Sequence, residues 1–261
     1  MNALSKSQDR THTVDIVKSN IKIIENADII QTSDTADLSK ENTTSGTFLK
    51  DPGSAITHFI GIILSCIGAF LIMSKSLPHE NYLTPFACGV FIGSMILLYT
   101  ASTLYHSINA SEKITLFLKK FDHIMIYFLI AGTYTPICLL ALPKSTGIKL
   151  LLLIWGLTIC GLILTAFWVS SPKWLNSTIY IIMGWLCLIA FKPLFKSISL
   201  TAFGWLLAGG IIYTIGGVIY ALKLPIFNNI HKNFGSHEIF HLFVLAGSIC
   251  HFYMIYTYLI Q

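Results

Sequence analysis

Leu200–Leu222 read L-T-A-F-G-W-L-L-A-G-G-I-I-Y-T-I-G-G-V-I-Y-A-L, a run of 23 residues without a single charge. About 20 apolar residues carry an α-helix across the hydrocarbon core of a bilayer, so this stretch reads as one complete crossing. Similar runs lie on both sides of it, at Ile56–Met73, Phe86–Tyr105, Ile124–Leu142, Leu150–Val169, Ser177–Phe195 and Ile239–Ile260. The fifth in chain order is the weakest, because Lys192 and Pro193 shorten its apolar stretch. Short segments with proline or charge separate the runs: Lys75 to Pro78, Lys113 to Lys120, Pro143 to Lys149, Pro172 to Asn176 and Pro225 to Ser236. The expected fold is all-α, a bundle of seven transmembrane helices, with six as the alternative.

Composition agrees. Of the 261 residues 54% are hydrophobic and 11% charged, whereas a soluble domain carries about 25% charged residues. Residues 1–50 hold six basic and seven acidic side chains, which leaves 11 lysines and five acids for the other 211 residues. The chain therefore divides into a polar, Ser/Thr/Asn/Asp-rich tail over 1–50, expected to be disordered, and a membrane domain over 51–261. Val14, Val17, Ile21 and Ile24 in the tail have helical spacing. The net charge of +5 resides in lysines scattered between apolar runs. That pattern suits membrane lipids as the partner and not nucleic acid.

Orientation follows from lysines in short loops. Lys50, Lys113, Lys119, Lys120, Lys173, Lys223 and Lys232 fall on the side of the N-terminus, seven against five for Lys75, Lys144, Lys149, Lys192 and Lys196. The N-terminus is expected in the cytoplasm and the C-terminus outside the cell membrane. No charged segment followed by an apolar core opens the chain, so no signal peptide is expected. The six cysteines all sit in apolar runs without metal or disulfide spacing and read as small buried residues.

Ionisable groups inside membrane spans are costly and mark function. Here they cluster. The second run ends in Ser102-Thr-Leu-Tyr-His106, the third begins with Asp122-His123, and the seventh opens with His237-Glu-Ile-Phe-His241. Successive spans alternate in direction, so His106, Asp122, His237 and His241 all come to one membrane face. His237 and His241 are four apart and share a helix face, the spacing by which one helix gives two ligands to a metal. His106 would supply a third, and three protein ligands leave a fourth position for water, the pattern of catalytic zinc.

Each of these residues also has a plainer reading. Histidines at span ends can hydrogen-bond head groups, Asp122 can cap the third helix, and Ser102 can bond its own backbone. His58 and His123 read as structural. So does His251, about 15 Å deeper than His241 and off its face. His237-Glu238-Ile239-Phe240-His241 also fits the His-Glu-x-x-His frame of zinc proteases. Glu238 projects about 100° from His237 on a helix, and an intramembrane metalloprotease stays as a minor alternative.

Four ordered segments carry a resemblance. They are Ile56-Thr-His58, Ser102-x-x-x-His106, Phe121-Asp122-His123 with Ile130-Ala-Gly-Thr-Tyr-Thr-Pro136, and His237-Glu-Ile-Phe-His-Leu-Phe-Val-Leu-Ala-Gly-Ser-Ile-Cys-His-Phe252. With them the chain, from about residue 51 onward, resembles the hemolysin III group of the progestin and adipoQ receptor (PAQR) superfamily. The long tail departs from the compact bacterial pattern. The resemblance implies seven helices with a cytoplasmic N-terminus and Zn2+ held by His106, His237 and His241. It places Asp122 beside the metal's water and Ser102 close by. The expected function is zinc-dependent hydrolysis of a lipid amide or ester, linked to membrane lipid homeostasis. Asp122 is then the base, and Ser102 orients the water or stabilises the oxyanion. The alternatives are a receptor or membrane-fluidity regulator with structural zinc, and a cytolytic protein. The last fits poorly with spans that carry no polar stripe to line a pore.

Overall fold

A computed structural model describes residues 49–168, 170–222 and 235–260. Among these, seven helices are long and apolar enough to cross a membrane: α1 Pro52–Ser76, α2 Leu83–Ser107, α3 Glu112–Ala141, α4 Lys144–Phe167, α5 Lys173–Ser197, α6 Leu200–Leu222 and α7 Ser236–Leu259. The chain is a multi-pass membrane protein. The tail, its spaced valines and isoleucines, and the loop lysines 223 and 232 lie outside the described residues.

Five of the six connections are short, so neighbouring helices run antiparallel and the crossings alternate as expected. Helical bonding satisfies most of the backbone from within each span, which hydrocarbon demands. Burial then separates the helices by role. Half or more of the most apolar stretch of α2 and α3 is buried, and 44% of that of α7, against 17–28% for the other four. The interior helices are those that carry His106, Asp122, His237 and His241. The outer ones turn Phe59, Ile63, Ile67 and Phe70 of α1 and their counterparts outward, which lipid accommodates.

Two departures from the expected boundaries matter. α3 begins at Glu112, so Lys113, Lys119 and Lys120 are helical and not part of a loop. Asp122 accordingly stands three turns inside the helix, and its reading as a cap is corrected; Ser111 holds that position. The amphipathic start of α3, apolar Ile114, Leu116 and Phe117 outside with lysines interspersed, explains why it resembles a charged loop. Lys120 donates to the carbonyl of Ala166 at 2.6 Å, and Lys75 to that of Tyr256 at 2.8 Å. Both lysines occupy carbonyls at the ends of neighbouring helices.

α5 is complete despite Lys192 and Pro193, but it tightens into a 3-10 turn at Leu186–Ala190. Tyr134 of α3 reaches this break. Its hydroxyl accepts from the Cys187 N–H at 2.8 Å and donates to the Gly184 carbonyl at 2.7 Å. Backbone groups loosened at membrane depth thus find partners on a neighbour. α3 itself carries Pro136 and ends in a π-helical turn over Ile137–Ala141. Of the cysteines, Cys66 and Cys160 are exposed on outer helices, unlike the burial expected, while Cys88, Cys138 and Cys250 are buried.

Glycine lets the start of α4 lie against the end of α3. A Cβ on Gly147 would stand 2.0 Å from the Cys138 carbonyl oxygen, whereas one on Gly156 meets nothing within 4 Å. The neighbour at Gly147 is backbone and cannot yield. Gly147→Ala is expected to cost about 1–3 kcal/mol by overpacking, with Gly156→Ala near neutral. Thermal unfolding of both variants in detergent checks this, and equal midpoints would contradict it.

Candidate metal centre

The ends of α1, α2 and α7 meet on the side of the membrane from which α1 starts. His106 is the last residue but one of α2, and His237 and His241 lie in the first two turns of α7. Ring centroids are 4.9 Å apart for His106 and His237, 4.4 Å for His237 and His241, and 5.3 Å for His106 and His241. One nitrogen from each lies within 4.8 Å of the others, an arrangement that can hold a metal ion. The Nε2 atoms of His106 and His237 approach to 3.1 Å.

The partners of these rings decide which nitrogens carry lone pairs. Thr57 gives its hydroxyl proton to the carbonyl of Ser54 at 2.9 Å or of Gly53 at 3.0 Å. Its oxygen is therefore the acceptor for Nδ1–H of His241, at 3.3 Å. The Asp51 carboxylate, an acceptor only when ionised, takes Nδ1–H of His106 at 2.9 Å. Both histidines are thus held in the tautomer that leaves Nε2 bare. Bare imidazole nitrogens turned toward one point, with their far nitrogens tied to a carboxylate and a hydroxyl, are what a zinc site requires. The donor set fits the ion.

Asp51 has a second grip on His106, because its backbone N–H donates to the His106 carbonyl at 2.9 Å. It stands at the cap position of α1, ahead of Pro52, yet makes no side-chain cap bond. Its carboxylate serves the imidazole instead. Sequence reasoning passed over Asp51; the available signal was an acid just before the first span, on the face where the second span ends. His58 was likewise read as structural. Its ring stacks on His241 with centroids 3.6 Å apart and planes 10° from parallel, and neither of its nitrogens has a hydrogen-bond partner.

Glu238 is occupied elsewhere. Its carboxylate accepts from the Ser54 hydroxyl at 2.6 Å and from the Gly235 N–H at 2.7 Å. It closes the first turn of α7 and ties that helix to α1, which counts against a zinc-protease role. Ser102 is buried, and its hydroxyl bonds no partner, its own backbone included. Asp122 is buried, with a carboxylate oxygen 3.9 Å from Nδ1 of His123. His123 spends that N–H on the Lys119 carbonyl at 2.8 Å, in keeping with a structural reading.

A cavity of about 170 Å³ opens beside the cluster and runs down the bundle. His58, Ser102, Asp122, His237 and His241 line its near end, and Leu129, Leu194, Phe203 and Leu206 its apolar length. The 3-10 turn of α5 contributes Cys187 and Leu188 to its wall.

These features define a seven-helix membrane protein with a largely buried histidine cluster at the head of an apolar cavity. Residues 47–252 match the family model described as haemolysin-III related, and the chain belongs to that family, within the PAQR superfamily. It is 40% identical over 215 residues to Hemolysin-3 of Bacillus cereus, covering 82% of this chain and 94% of that one. The Hemolysin-3 homolog of Bacillus subtilis is 36% identical over 215 residues, 82% of this chain and 97% of the relative. An adiponectin receptor protein of Drosophila melanogaster is 23% identical over 218 residues, 78% of this chain and 49% of that protein.

The Asp51–His106 pair makes a measurable claim. Asp51→Ala frees the imidazole to rotate and change tautomer, and loss of such a partner costs roughly 10–100-fold in metal affinity. Chelator competition on the purified protein reads this directly. An unchanged affinity would remove Asp51 from the site.

Proposed function

We propose that this protein is a zinc-dependent hydrolase that cleaves an amide or ester bond of a lipid inside the bilayer, with its N-terminus in the cytoplasm. The observation that carries this reading is the cluster of buried His106 and His241 with half-buried His237 at the head of an apolar cavity. The cluster holds three metal-competent residues among the described ones. Three is the number that catalytic zinc takes from protein, with the fourth position left for water or substrate. A structural site would be closed by a fourth.

Zinc at this cluster supplies Lewis-acid polarisation of the substrate carbonyl and a water acidified to a pKa of about 7. The protein's own groups do the rest. Asp122 faces the same cavity and takes the proton of the attacking water on a carboxylate oxygen, then returns it to the leaving amine or alkoxide. The Ser102 hydroxyl, free of other partners, donates to the oxygen that gains charge as water adds. The walls along α3 and α6 hold the acyl chain and keep bulk water out.

Purified protein is expected to carry one zinc per chain, and His237→Ala combined with His241→Ala to carry none. Asp122→Asn should keep the metal and lose about 10²–10⁴-fold in turnover, read on vesicles containing a long-chain amide lipid and a glycerol ester. Full turnover by zinc-free wild-type protein would end this reading.

A second reading comes from the printed name of the Bacillus cereus relative, Hemolysin-3. Lysis would require this protein to breach a foreign membrane. If lysis is intrinsic and independent of the metal cluster, purified wild-type protein and its His106→Ala variant lyse red cells equally. Under the hydrolase reading neither lyses them, or only the wild type does.

A further inference from the structure

Few buried polar atoms lack a partner in this bundle, and their placement is uneven. Among the described residues, three side chains lining the cavity carry such an atom: His58, Ser102 and His251. His58 and Ser102 belong to the metal end. His251 does not. It lies ten residues beyond His241 on the same helix, about 15 Å along the axis, and is 5% exposed. A buried polar group without a partner is costly, and an ionisable side chain at membrane depth marks function by default.

The surroundings hold this imidazole in place without satisfying it. A Cβ on Gly209 of α6 would stand 2.6 Å from Nε2 of His251, so only glycine admits the ring there. Tyr213, also on the cavity wall, lies against it at 5.2 Å between centroids with the planes 32° apart. The Tyr213 hydroxyl is engaged with Ser248 at 2.8 Å, and Ser248 accepts from Tyr99 at 2.7 Å. Trp185 donates to Thr214 at 2.9 Å, and Thr214 to the Gly210 carbonyl at 2.7 Å. The polar neighbours are paired among themselves, and the imidazole is left over on the wall of the cavity. The rest of the wall at this depth is largely apolar.

We infer that His251 is a second polar station of the cavity, which binds a hydroxyl carried part-way along the chain of an acyl lipid. The inference rests on the reading of the cavity as the site of an acyl lipid whose carbonyl end lies at the histidine cluster. A neutral imidazole both donates and accepts, which suits a hydroxyl. A plain chain would leave the imidazole unpaired, and a charged group would have no counter-ion at this depth. The spacing between the two stations then selects the position of the hydroxyl on the chain.

The test uses the full-length protein in nanodiscs with its metal content measured, and displacement of a fluorescent fatty acid by stearate or by hydroxystearates with the hydroxyl at successive positions. One position should bind better than stearate, on the order of tenfold, the scale of one added hydrogen bond. His251→Phe should abolish that preference and leave stearate affinity and zinc content in place. His251→Gln, which can still donate and accept, should retain it. Should the phenylalanine variant lose stearate binding as well, it has misfolded, and the preference in wild type and in His251→Gln decides. No preference in wild type, or one that survives His251→Phe, overturns the inference. If the positional preference holds while no lipid is cleaved, the hydrolase reading falls and the polar station stands. If lipids are cleaved with no preference, the reverse holds.

Discussion

Hydrocarbon offers neither donor nor acceptor, so a chain that crosses it seven times must satisfy its own backbone and every polar side chain it brings in. Most polar groups here comply. Thr133, Thr135 and Thr158 donate to carbonyls four residues back, Lys75 and Lys120 reach helix ends, and Tyr134 repairs the break in α5. Against that background the histidine cluster stands out. Asp51 and Thr57 hold two of its rings by Nδ1, so that their Nε2 atoms are left for the cluster, where that of His106 meets Nε2 of His237 at 3.1 Å.

The same constraint organises the helices. α2, α3 and α7 sit innermost, and they carry His106, Ser102, Asp122, His237, His241 and His251. α1 is an outer helix over most of its length, yet its first turns supply Asp51, Ser54, Thr57 and His58. Ser54 on Glu238 and Asp51 on His106 join α1 to both helices that carry the cluster. The histidine end of the bundle is thus braced by polar bonds, while Phe203, Leu194 and Leu206 line the cavity toward the opposite end. A hydrolase acting on a lipid needs that division, with fixed groups at the scissile bond and an accommodating channel for the chain.

The seven crossings were legible in the sequence because charge-free runs of membrane length leave little room for another fold. The meeting of His106 with His237 and His241 was legible too, since alternation of short-looped helices is enough to bring span ends to one face. What was not legible depended on rotation about a helix axis or on a partner distant in the chain. His58 looks like any histidine at a span start until α1 is turned to stack it on His241. Asp51 has the sequence of a helix cap, and only the position of α2 gives its carboxylate to an imidazole. Asp122 was set at the wrong point in α3 because the lysines before it imitate a loop. His251 was placed at the right depth by counting residues, but the cavity it shares with the cluster requires α3, α5 and α6 to be in position.

The proposed hydrolysis depends on three imidazoles holding a zinc ion with one position left open to chemistry. X-ray absorption at the zinc edge of the purified protein tests it most directly. Three imidazole nitrogens and one oxygen from water are expected, with one imidazole lost in His106→Ala. A fourth protein ligand, sulfur in the coordination sphere, or no zinc in correctly folded protein would contradict it.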